Sequence, residues 1–96
     1  MKITLQDEIR QAVELSAECP ATHIETVAVV EKFGTKTAWE GTVEVFSLQG
    51  HPKAKRAYGW AYHDGPETRF VAVLEIPPVD SANTAVRLAI AQKAQK

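Results

Sequence analysis

The segment 51–63 holds the residues of this chain whose types and spacing point most directly to chemistry. A basic cluster runs straight into an aromatic stretch, and its candidate binding residues are His51, Lys53, Lys55, Arg56, Tyr58, Trp60 and Tyr62. Basic side chains neutralise phosphates, and exposed aromatic rings stack on bases. This candidate binding surface therefore indicates nucleic-acid binding as one interpretation of the segment.

The same aromatic residues have a second interpretation as protein core. Tyr58, Trp60 and Tyr62 alternate with the small residues Ala57, Gly59 and Ala61, so in a strand the two sets lie on opposite sides. The last predicted helix carries alanines at helical spacing, and small residues pack closely against large rings. We favour the core interpretation, with nucleic-acid binding as its alternative.

Two carboxylates form a second candidate. Glu40 and Glu44 lie on one face of a predicted strand with Thr42 between them, and paired carboxylates serve in acid–base catalysis. Apolar residues alternate with this set, a pattern typical of a half-buried strand. We expect the set to be the solvent side of that strand.

Catalytic and metal-binding signals are weak in the rest of the chain. Cys19 and His23 have a spacing seen in metal sites, but two ligands do not make a site. Phosphate-binding, dinucleotide-binding and hydrolase fingerprints are missing from the sequence. We predict no metal, no cofactor and no catalytic residue, and an enzyme with a dispersed site is a further alternative.

Length and composition predict a single domain over residues 1–96. The chain is 45% hydrophobic and 24% charged, with a net charge of −1, which is ordinary for a globular protein. Its one cysteine needs no oxidising compartment, and no run of eighteen apolar residues occurs. The expectation is a soluble, cytoplasmic protein with no membrane partner.

Hydrophobic periodicity predicts six elements in the order α-β-β-β-β-α. The predicted ranges are a helix over 5–18, strands over 23–33, 37–48, 56–62 and 68–76, and a helix after Pro77-Pro78 with its stripe at Ala82, Ala85, Val86, Ala89, Ile90 and Lys93. A five-residue turn over 63–67 would set Trp60 opposite Phe70.

These elements predict an α+β fold, a two-layer sandwich in which a four-stranded antiparallel meander carries both terminal helices on one face. The other face and the sheet edges would then be open. The function expected from this arrangement is that of a non-enzymatic interaction domain. It would bind a protein partner, or a second copy of itself, through the open sheet face or edge.

The order of a helix, antiparallel strands and a second helix is similar to that of the double-stranded-RNA-binding domain. The resemblance is one of topology and covers most of the chain. That family begins its last helix with basic residues, whereas this chain has Ser81-Ala82-Asn83-Thr84-Ala85 there, and it has a fourth predicted strand. We therefore assign the chain to no family on this ground.

Overall fold

The α+β class and the predicted element order are confirmed by a computed structural model, which describes residues 4–94. The elements are α1 (Leu5–Ala17), β1 (Ala21–Phe33), β2 (Lys36–Leu48), β3 (Arg56–Asp64), β4 (Glu67–Leu74) and α2 (Ala82–Ala94). Lys93 of the predicted stripe lies outside the described side chains.

Helix α1 begins at Leu5, the residue at which the sequence predicts its start. Thr4 is the N-cap, and its hydroxyl accepts the backbone N–H of Asp7 at 3.1 Å. The Asp7 carboxylate accepts the backbone N–H of Thr4 in return, which completes a capping box. The helix ends at Ala17, and the C-cap Glu18 that follows has a left-handed backbone (φ 56°), which turns the chain toward β1.

The four strands form one antiparallel sheet in the order β1-β2-β3-β4. Short turns containing Gly34 and Gly65, both at positive φ, close the two hairpins. In the second hairpin Asp64 pairs with Glu67, so Trp60 lies opposite Val71 and Ala61 opposite Phe70. The prediction that Trp60 faces Phe70 is wrong by one residue, because the turn leaves only two residues unpaired.

Helix α2 covers the sheet face that carries the large aromatic side chains. Trp60 is 3% exposed and packs in one cluster with Ala82, Ala85 and Val86 of the helix. An ion pair anchors the helix to β1, since Arg87 Nε donates to Glu31 Oε1 at 2.7 Å. The predicted burial of Trp60 beneath the C-terminal helix is thus observed.

Helix α1 covers the opposite face, where β3 presents its small residues. Ile9 and Val13 pack with Ala57, and a Cβ placed on Gly59 would lie 2.6 Å from Ile9 Cγ2. Glycine is therefore what lets the helix approach β3 so closely. The expectation that both helices share one face is corrected, because both faces of β3 are apolar and each helix packs on one of them.

Half of the α1 face is left uncovered, as is the outer edge of β1. Exposed residues of β1 and β2 on this half are Thr26, Ala28, Val30, Glu40 and Thr42. A bulge at Ile24 interrupts the edge strand, and that side chain is 48% exposed. Among residues 4–94, no helix has the length and apolar character needed to cross a membrane.

Candidate functional site

The two hairpins separate from one another, and this opens a cleft between β2 and β3. Only four residue pairs join these strands, from Ser47–Arg56 to Glu44–Gly59. Both strands continue beyond the last pair, β2 back to Lys36 and β3 on to Asp64. The cleft is therefore bounded by two strand segments that do not pair with each other.

The backbone groups that face this cleft follow from the hydrogen bonds at its closed end. Leu48 N–H donates to the Lys55 carbonyl at 2.9 Å, which shows that even-numbered residues of β2 and odd-numbered residues of β3 turn their backbone polar groups toward one another. Continuing the register would place Thr42 opposite Ala61 and Glu40 opposite His63. Neither pair forms, so the backbone N–H and C=O groups of these four residues have no partner across the cleft.

The cleft has a volume of about 450 Å³, within the range of ligand-binding pockets. The first turns of α1 form one wall, and the lining residues are Leu5, Gln6, Ile9, Trp39, Glu40, Gly41, Thr42, Glu44, Ala61, Tyr62 and His63. The Trp39 ring lies over Gly41, where a Cβ would be 3.0 Å from the indole. The site thus combines an apolar wall, two carboxylates and two open strand edges.

A polar cluster forms the closed end of the cleft. Glu44 is buried, and its Oε1 lies 2.7 Å from His23 Nε2. A carboxylate has no proton to give, so the imidazole donates from Nε2. Thr26 also donates its hydroxyl to Oε1. The Gln6 amide nitrogen lies 3.4 Å from His23 Nε2, so the first turn of α1 is close to this cluster. Both nitrogens are donors in this arrangement, so no hydrogen bond joins them.

The basic part of the predicted binding surface lies outside the cleft. His51 is half-buried, and its Nδ1 accepts the backbone N–H groups of Lys53 and Ala54 at 3.1 and 2.9 Å, which shapes the loop before β3. Lys53 and Lys55 are exposed. Arg56 lies 3.4 Å from a Glu75 carboxylate oxygen, so part of its charge is already paired.

The aromatic part of that surface is divided between core and cleft. Tyr58 and Trp60 are each 3% exposed beneath α2 and present no free ring face for stacking. Tyr58 donates its hydroxyl to Glu75, and burial together with this bond raises the pKa of Tyr58. Tyr62, at the far end of the strand, is half-buried and lines the cleft.

For the residues that build the cleft, the interpretation based on the sequence differs in part from the structure. Glu40 and Thr42 are exposed, as expected for a solvent face, but Glu44 of the same set is buried against His23 and Thr26. His23 thus pairs with a carboxylate, and within residues 4–94 no three His, Cys, Asp or Glu side chains are grouped as metal ligands. The small residues Ala57, Gly59 and Ala61 of β3 are the one feature of the sequence that indicates the close approach of a helix to this strand.

Comparison with models of known protein families finds no match. Neither the curated proteins nor the solved structures that were compared with this chain give a match.

Proposed function

We propose that this chain is a protein-interaction domain that takes an extended segment of a partner protein into the cleft between β2 and β3. The observation that carries the proposal is the early end of the β2–β3 pairing at Glu44–Gly59. An extended segment placed there would accept and donate main-chain hydrogen bonds along a strand edge, the binding mode known as strand addition.

Each edge of the cleft offers the groups that strand addition requires. Thr42 and Glu40 on β2, and Ala61 and His63 on β3, direct unpaired N–H and C=O groups into it. Main-chain hydrogen bonds supply affinity that does not depend on the sequence of the bound segment, whereas pockets for its side chains supply specificity. Leu5 and Ile9 on the α1 side of the sheet, and Trp39 on the α2 side, offer apolar surface to the side chains of such a segment.

A proline substitution tests the proposal, because proline removes one backbone donor. Peptides of ten residues would be selected from a random displayed library against the protein, and their affinities measured by titration calorimetry. Thr42→Pro should weaken the binding of the selected peptides by about tenfold or more, because one hydrogen bond is lost and its acceptor on the peptide is left unpaired.

The matched control is Ala28→Pro on the outer edge of β1. The pairing of Val27 with Val43 turns the Ala28 backbone outward, away from the cleft. Peptide affinity should stay within about threefold of the unaltered protein, and amide spectra would show that both variants fold. Binding that survives Thr42→Pro and is lost in Ala28→Pro would overturn the cleft proposal and place the interaction on the β1 edge.

That edge supports a second candidate, self-association. β1 is thirteen residues long, and no strand within residues 4–94 pairs with its outer edge. Its own Ile24 and Val30 are 48% and 45% exposed. Such an edge pairs readily with an identical strand. Sedimentation at increasing protein concentration should show a dimer that Ala28→Pro removes and Thr42→Pro retains, and a monomer throughout would contradict it.

A further inference from the structure

The charged side chains around the cleft indicate which kind of chemical group would bind in it. Of the described residues that line it, Glu40 and Glu44 are acidic, and His63 is the only one with a basic side chain. Glu40 is exposed and takes part in no ion pair between residues 4 and 94. The positive end of the α1 dipole is offset locally by Asp7, whose carboxylate caps the helix. The described part of the lining is therefore net negative.

Glu44 has one carboxylate oxygen to spare. Its bonds from His23 and Thr26 both go to Oε1. Oε2 accepts no bond from the described residues, and it keeps some contact with solvent, because no fully buried side-chain oxygen among them lacks a partner. A largely buried carboxylate with an open oxygen binds a cationic donor more strongly than a neutral one.

We infer that the cleft recognises a primary ammonium or guanidinium group, which donates to Glu44 Oε2 while Glu40 flanks it at the open side. This inference rests on the proposed function, and it specifies that the extended segment carries a lysine or arginine at the position nearest the closed end of the cleft. The same chemistry is present in a small free amine, so the source must be distinguished by experiment.

The test uses one arginine-containing peptide from the selection and its citrulline counterpart, which has the same shape without the charge. Citrulline should weaken binding to the unaltered protein by about tenfold or more, the size of one charge-assisted hydrogen bond. The Glu44→Gln variant keeps an acceptor for His23 and should bind the two peptides within about threefold of each other. Glu25→Gln, outside the cleft, should leave the tenfold difference unchanged.

Glu40→Gln provides a second variant if Glu44→Gln does not fold. It should reduce the difference in affinity between the arginine and citrulline peptides by about threefold, as expected for an exposed ion pair. N-acetylargininamide is the small-molecule probe, because it carries the guanidinium group without an extended segment. If it binds as tightly as the peptide, cation recognition stands and the extended-segment proposal fails. If peptides bind and lose affinity in Thr42→Pro, yet citrulline binds as well as arginine, the cation inference is overturned and the proposed function stands.

Discussion

At the scale of single residues, buried and half-buried carboxylates hold the parts of this molecule together. Glu31 binds Arg87 and Asn83 of α2, Glu44 binds His23 and Thr26, and Glu75 accepts the Tyr58 hydroxyl. From the sequence, none of these three glutamates could be distinguished from other strand residues. The alternation of polar and apolar residues predicts which face of the sheet a side chain lies on, but not which partner it contacts there.

The Glu31 pair makes stability depend on pH. The hydrogen bond from Arg87 holds the pKa of Glu31 below its ordinary value of 4.5. A lowered pKa in the folded state contributes stability that is complete above the ordinary value and is lost as the pH falls through the lowered one. Urea unfolding at pH 7 and below 4 should therefore show a larger loss of stability in the unaltered protein than in Glu31→Gln.

The control for this prediction is Glu25→Gln, an exposed residue of the same strand that makes no ion pair with any other described residue. Its loss of stability between the two pH values should match that of the unaltered protein. If Glu31→Gln matches as well, the ion pair between β1 and α2 does not contribute in solution.

At the scale of elements, the sequence predicted the helices and strands well and their arrangement in part. The prolines after β4 and the alternation in β3 report local conformation, which hydrophobic period and turn chemistry determine. Placement of α1 and α2 on opposite faces depends on how both sides of β3 pack. The early end of the β2–β3 pairing depends on how two hairpins diverge, and no local pattern of residues records that divergence.

The core beneath α2 should depend strongly on one ring. Trp60 packs against Trp39, with ring centroids 5.8 Å apart, and against Ala85 and Val86. Trp60→Ala should lower the free energy of unfolding by about 3–5 kcal/mol, because a large cavity remains where the indole was. Chemical denaturation measures this change.

Leu15→Ala on α1 is the control, since that side chain is 82% exposed and should change stability by no more than about 0.5 kcal/mol. A loss below about 1 kcal/mol for Trp60→Ala would show that the ring is not in the core. The nucleic-acid alternative would then gain support, because stacking requires Tyr58 and Trp60 to be accessible.

At the scale of the whole molecule, two hairpins share a closed end and separate toward their turns. The helices divide between the hairpins unequally: the backbone of α2 lies mainly near the first hairpin, although its side chains also pack on Trp60, and α1 lies mainly on the second. Four residue pairs connect β2 to β3. The proposed function depends on this separation of the two hairpins, since a fully paired sheet would leave no strand edge inside the molecule. Binding of an extended segment would join the two hairpins along the cleft.

Residue-resolved amide hydrogen exchange tests this account most directly. In the free protein, the amides of Thr42 and Ala61 should exchange fast because they face the open cleft, whereas those of Val43 and Trp60, paired with β1 and β4, should exchange slowly. A saturating selected peptide should slow Thr42 and Ala61 selectively. Equal protection of all four amides in the free protein, or fast exchange of Thr42 and Ala61 that the bound peptide leaves unchanged, would contradict the account.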